Sequence, residues 1–222
     1  MGGINLEKID TKYNIRNEQA IDMREVEELT RKAFWNLNVP GCCEHYLVHV
    51  MRSHPDFIPD LNFVLEEDNR IIANVMYTKT MLIDENGIEK QILKFGPVSV
   101  LPVCQRMGYG KSLLEYSFIK AKEMGYDTIV IYGNPDNYVS RGFKSCKKYN
   151  VSIKDDYFPA AMLVKELVEG SLDGRKWRYI ESDVFDLDAK EVEQFDSNFE
   201  EMEKKYRPSQ EEFYIHSHSR MI

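Results

Sequence analysis

Between the apolar run Phe95-Gly96-Pro97-Val98-Ser99-Val100-Leu101 and a helical pattern reaching about Gly125 lies one stretch, Gln105-Arg106-Met107-Gly108-Tyr109-Gly110-Lys111. It constrains the fold more than any other part of the chain. The order strand, glycine-bearing turn, helix makes a phosphate site, because the first N–H groups of a helix lack carbonyl partners and point outward. Gly108 and Gly110 carry no Cβ, so the backbone can turn tightly and approach a ligand. The helix reading rests on Leu113, Leu114, Ser117, Phe118 and Ala121, which recur at helical spacing, with Lys111, Glu115 and Lys122 on the other side. Gly125 stops the helix, and Asp127 to Tyr132 reads as a buried strand. Strand, helix and strand form a right-handed βαβ unit whose ligand crevice lies off the C-terminal strand ends. A nucleotide P-loop is excluded, since its Gly-x-x-x-x-Gly-Lys-Ser/Thr spacing is absent.

A Gly-x-Gly pair alone is more often an ordinary glycine-containing helix start. Here Val98-x-Val100-x-Pro102 followed by Gln105-x-x-Gly108-x-Gly110 resembles the acyl-CoA-binding motif of the GNAT superfamily of N-acetyltransferases. Further on, Tyr138-Val-Ser-Arg-Gly142-Phe143 resembles that family's Tyr-x-x-x-Gly-Phe signature. The resemblance implies an α/β fold, a mixed twisted sheet flanked by helices, in which the strands flanking the crossover helix are parallel and splay apart to admit a pantetheine arm. It also implies acetyl-CoA as cosubstrate, no metal, and transfer to a primary amine by direct attack in a ternary complex. Matching residue by residue gives Val98 as the backbone donor to the oxyanion and Val100 as the partner of the pantetheine amides. The pyrophosphate falls on the N–H groups of about Arg106, Met107, Gly108, Tyr109, Gly110 and Lys111, and Gln105 is counted with them as cofactor-binding. Tyr138 becomes the general acid for the departing thiolate. The segment after Tyr132 is shorter than the family's usual one: Ile131 stands where an Asn is common, which leaves Asn134 as the cofactor contact.

The 222 residues suit one large domain, or one domain with an appendage, and 43% hydrophobic content provides a sizeable core. We divide the chain into an acyl-CoA-binding domain over 1–168 and a C-terminal extension over 169–222. A net charge of −8 argues against nucleic-acid and anionic-membrane partners and suits a cationic amine, whether a small molecule or a protein amine. Cys42, Cys43, Cys104 and Cys146 show no disulfide framework, Met1-Gly-Gly-Ile begins no signal peptide, and no apolar run is long enough for a membrane span. A cytoplasmic location is expected.

Elsewhere the pattern predicts a strand over 11–16, helices ending near Trp35 and over 43–52, and strands over 61–66, 71–83 and 89–101. Asp84-Glu-Asn-Gly87 is the strongest hairpin signal. Two final strands are expected over 142–153 and 160–167. Asp188-Ala-Lys-Glu191 opens a capping box, and Val192, Phe195, Phe199, Met202 and Tyr206 follow at steps of three and four. They predict one amphipathic helix that Pro208 ends. It would pack on the body of the domain, cover the substrate opening, or serve a homodimer.

No general base stands out. Glu44, His45 and His49 are candidates because the second helix borders the acceptor side in the family. His45 and His49 share a helical face near Cys42 and Cys43, but no second ligand pair follows and the HExxH pattern is absent, so a metal site is not expected. The alternative to an enzyme is a catalytically weak CoA or acyl-CoA sensor, or an interaction protein.

Overall fold

The computed structural model describes residues 13–221, the side chain of Asp155 excepted. Four strands form an antiparallel meander: β1 (Tyr13–Asn17), β2 (Phe63–Glu67), β3 (Arg70–Asp84) and β4 (Glu89–Val100). Their turns use the residues that turns need. Asp68 and Asn69 take positive φ between β2 and β3, and the Asn86 and Ile88 amides donate to Asp84 Oδ1 in the next hairpin. The predicted first strand begins at residue 11, and its first two positions lie outside the described residues. β5 (Thr128–Tyr132) runs parallel to β4 and antiparallel to β9 (Met162–Glu166), whose far edge carries β6 (Lys144–Ser145). The sheet order β1-β2-β3-β4-β5-β9-β6 is that of the mixed sheet expected.

Residues of β3 alternate between two faces. Ala73, Val75 and Tyr77 join the core that includes Leu113, Leu114, Phe118 and Ala121 of α3 (Tyr109–Glu123), the stripe read from the sequence. Asn74 and Met76 face the other way, toward α1 (Met23–Phe34) and α2 (Glu44–Met51). Thr30 donates to Asn74 Oδ1 and accepts from Ser99 Oγ, while Val48 and Met51 pack with Met76.

Beyond Gly142 the path differs from expectation. Instead of one strand over 142–153, β6 gives way to a tight turn at Cys146–Tyr149, and Asn150 at φ +57° redirects the chain into β7 (Val151–Ser152). A second short strand, β8 (Phe158–Pro159), precedes β9. β7 pairs in parallel with β10 (Trp177–Ile180), which pairs antiparallel with Met81–Asp84, the end of β3 that β2 does not reach. This closes a second core, in which Leu82, Ile92 and Val130 meet Cys146, Leu172 and Trp177.

The C-terminal helix also needs correction. The expected run from Asp188 to Tyr206 stops early: α5 spans Ala189–Asp196, and Pro208 begins a helix, α6 (Pro208–His218), rather than ending one. Asp188 caps α5 through the Lys190 and Glu191 amides, but Asn198 Nδ2 donates to the carbonyls of Gln194 and Phe195 and closes it. Proline suits the first turn of α6 because no intrahelical bond is lost there. Phe199, off the helix, lies under the Arg24 guanidinium at 3.7 Å and edge-on to His45. The intervening chain is then held extended, with Trp35 Nε1 and Asn36 Nδ2 both donating to the Glu203 carbonyl.

Candidate active site

The loop after β4 leads into the N-terminal end of α3 in steps that the residues dictate. Pro102–Cys104 makes one tight turn, and Gln105 Nε2 donates back to the Val100 carbonyl at 3.1 Å. Arg106 and Gly108 then take positive φ, +65° and +95°. The amides of Arg106, Met107, Gly108, Tyr109, Gly110 and Lys111 find no acceptor among the described residues, and Ser112 is the first to bond back, to the Gly108 carbonyl at 3.0 Å. This makes a row of six free donors at the positive end of a fifteen-residue helix. A Cβ on Gly108 would meet nothing within 4 Å, so the concavity is open. One on Gly110 would crowd Val100 Cγ2 at 3.3 Å, so Gly110 serves close packing of helix on strand. The donors, the open concavity and the glycines fit a diphosphate.

Side chains of the same loop do different work. Tyr109 donates its hydroxyl to the Glu67 carboxylate at 2.9 Å and packs edge-on against Tyr13, anchoring the helix head to β1 and β2. Lys111 sits 3.7 Å from Glu115 on the exposed face, and Arg106 and Met107 are exposed.

β4 and β5 meet only at Leu93 opposite Ile129. Beyond that pair they part, leaving a gap beside Gly96, Val98 and Val100, which are half-exposed between buried neighbours. One extra residue lies in β4 here: Val75 faces Val98 and Tyr77 faces Phe95, so three steps on β4 match two on β3. Gly96 at φ +150° belongs to that bulge. Val98 and Val100 follow it, with the glycine-bearing loop next in line.

Tyr138 ends α4 (Pro135–Tyr138), the helix after β5. Its ring packs against Phe95 and Phe143 at centroid distances of 5.8 and 5.7 Å. A Cβ at Gly133 would lie 2.6 Å from Tyr138 Cε2, so that glycine is what lets the ring in. The hydroxyl has no hydrogen-bond partner among the described residues, and burial raises its pKa, which keeps it protonated. Asn134 caps α4, its side chain accepting the Asp136 amide at 3.0 Å.

The model of the acetyltransferase (GNAT) family matches residues 26–145, more than half of the chain. The chain belongs to the GNAT acetyltransferase family. Its fold is similar to that of a GNAT-family N-acetyltransferase, YhbS, from Escherichia coli solved in complex with CoA. The TM-score is 0.68 and the identity 22%, covering 79% of this chain and 92% of the other. A GNAT-family acetyltransferase from Brucella melitensis in complex with acetyl-CoA gives a TM-score of 0.62 at 22% identity, over 78% and 97% of the two chains. A search of curated proteins finds no match. No helix among the described residues of this GNAT chain is long and apolar enough to cross a membrane, and all four cysteines are free.

The second-helix candidates are drawn into structure. Glu44 accepts from Asn38 Nδ2 and the Cys43 amide, and burial raises its pKa. His49 Nδ1 lies 3.0 Å from Glu27 Oε1, and its ring packs at a tilt against Phe195, with centroids 4.5 Å apart. His45 is fully buried, with Cys42 Sγ 3.4 Å from Nδ1 and Asp196 Oδ1 3.0 Å from Nε2. Arg31 already meets Asp196 through two nitrogens. Burial depresses the His45 pKa to about 4; Asp196 opposes this in part and Arg31 adds to it.

Three residues that the sequence reading passed over flank the same gap on the α1 and α2 face. Lys94 of β4 is buried and pairs with Glu181, and its Nζ lies 5.3 Å from the Tyr132 ring at the end of β5. The one available signal was a lysine inside the apolar run from Ile92 to Phe95. Glu181 gave none, since its place depends on β10 reaching β3.

Proposed function

We propose that this protein transfers the acetyl group of acetyl-CoA to a primary amine by direct attack within a ternary complex. The row of unpartnered amides from Arg106 to Lys111, beside a gap between two parallel strands, carries the reading. Backbone donors preset for a diphosphate bind it without reorganisation. In this reading Val100 holds the pantetheine arm, and Asn134 adds a contact from the head of α4. The Val98 amide donates to the carbonyl oxygen as negative charge gathers there, a contribution worth about 100-fold or more in rate. Neutral Tyr138 gives its proton to the departing sulfur, because a phenol pKa held above its usual value keeps the proton available at neutral pH. The acceptor amine, from a small molecule or a protein, attacks from the side lined by Lys94, Tyr132 and Glu181. The free thiols are consistent with a cytoplasmic setting.

The test is thermal stabilisation by acetyl-CoA and CoA against ATP, followed by an amine screen with Tyr138→Phe. A shift with both CoA forms and not ATP supports the site. Turnover that falls in Tyr138→Phe while that shift persists supports the role of the hydroxyl. A clear shift with no turnover of any amine would favour a CoA-binding sensor. No shift at all refutes the reading.

A further inference from the structure

We propose that α6 is a strap across the acceptor side of the β4–β5 gap and restricts the acceptor to a slender primary amine that enters end-on. The inference rests on the acetyltransfer reading for its chemistry, but not for the strap itself. Both ends of α6 are tied to distant parts of the fold. At the start, Ser209 Oγ donates to the Leu37 carbonyl at 2.8 Å, and Gln210 Nε2, from a buried side chain, donates to the Asn36 carbonyl at 3.1 Å. At the end, the Ala160 amide donates to the Ser219 carbonyl at 2.9 Å, and β11 (Arg220–Met221) pairs antiparallel with β8.

Those two anchors lie on opposite sides of the gap. The Ile71 amide donates to Glu25 and Thr30 bonds to Asn74, so α1 runs alongside β3 in the same direction. Its C-terminal end, and Asn36 just beyond, therefore arrive over β3 and β4 near the bulge. The other anchor adjoins β9, where Met162 pairs with Tyr132 and the Gly133 amide donates to the Ala161 carbonyl. An eleven-residue helix spans about 16 Å, long enough to bridge from its anchor beyond α1 to its anchor beside β8 and β9. α3 and the free amides lie on the other face of the sheet, so the face left to an acceptor is the one this helix spans.

What lies between is unlike a packing interface. Gln210 is the one buried residue of α6, and Phe213, Tyr214 and Ile215 remain exposed. A helix that buried its apolar side on the body would cover such residues. α6 is held instead by its two ends, as a bar over an opening is held. A slender chain ending in an ammonium group can thread beside it, whereas a lysine on the surface of a folded protein brings a bulk that the bar blocks.

The decisive experiment frees one end in the full chain with the double change Ser209→Ala and Gln210→Ala, and uses a chain ending at Arg207 as a second form. Amide hydrogen exchange is followed over 94–98 and 130–133, and acetyl transfer is compared between spermidine and the surface lysines of a folded protein. The expected result is faster exchange in both segments when the end is freed, and a full chain that favours spermidine by roughly tenfold or more, a margin that shrinks in the freed form. Unchanged exchange overturns the strap whatever the turnover. Equal use of folded-protein lysines by the full chain overturns the restriction. Faster exchange with no transfer to any amine supports the strap as a cover and sinks the transferase reading instead.

Discussion

Replacing His45 by glutamine should flatten the acid limb of the stability profile. His45 is buried among Cys42, Phe195 and Phe199, and its folded-state pKa of about 4 lies below the ordinary value of 6.5. As pH falls through 6.5 the unfolded chain takes up a proton that the folded chain does not. Folded stability therefore declines from about pH 6.5 downward and levels off only below the folded pKa of about 4. For that pair of pKa values the loss between pH 7.5 and pH 5 is about 2 kcal/mol, since each unit of displacement is worth about 1.4 kcal/mol. The assay is urea unfolding of the wild type and His45→Gln at both pH values, comparing the two differences so that the other titrating groups cancel. A wild-type loss exceeding the variant's by about 2 kcal/mol is expected. If the wild type gained on the variant as pH fell, His45 would be an imidazolium paired with Asp196, and the account of how α5 docks would be wrong.

Other outcomes follow from the same geometry. Gly133→Ala places a Cβ only 2.6 Å from Tyr138 Cε2, which forces the ring to shift, and should cut turnover while leaving the CoA-induced rise in Tm largely intact. Gly108→Ala forces a side chain to φ +95° at the head of α3; under the proposed function it should weaken acetyl-CoA binding in calorimetry, and it should cost about 1 kcal/mol or more of stability. Arg31→Ala strands the Asp196 carboxylate and frees the Glu200 carbonyl. It should lower unfolding free energy by about 3 kcal/mol and make the chain after Asp196 the first site of protease cleavage.

The stretch from β4 through α3 was legible because its signals are local: β-branched alternation, a glycine turn, and an apolar stripe from Leu113 to Ala121. The Asp84 hairpin was legible for the same reason, its side chain serving amides two and four residues away. The route from Lys144 to Phe185 was legible only at β9, which lies within the strand expected over 160–167. Its other strands are two to four residues long, too short for periodicity to register, and the partners of β7 and β10 lie far off in the chain. The spacing of Val192, Phe195 and Phe199 was real and pointed to one half-buried side, yet Phe199 reaches it from outside the helix. Spacing reports which residues share a surface, and it does not report whether the backbone between them stays helical. The loop and Tyr138 were singled out as candidates through motif residues, while the pairing of Lys94 with Glu181 joins β4 to the residue just after β10, which no local pattern links.

The pairing of β10 with the end of β3 has a consequence for synthesis. Trp177 follows its partner Asp84 by 93 positions, so the ribosome must add that much chain before the edge at Met81–Asp84 can be covered. At about 5–20 residues per second this is a wait on the order of 5–20 s, during which an unpaired strand edge stands open beside Leu82 and Ile92. A nascent chain stalled short of Ile180 should therefore be a client for chaperones that bind exposed strands, and one released beyond it should not.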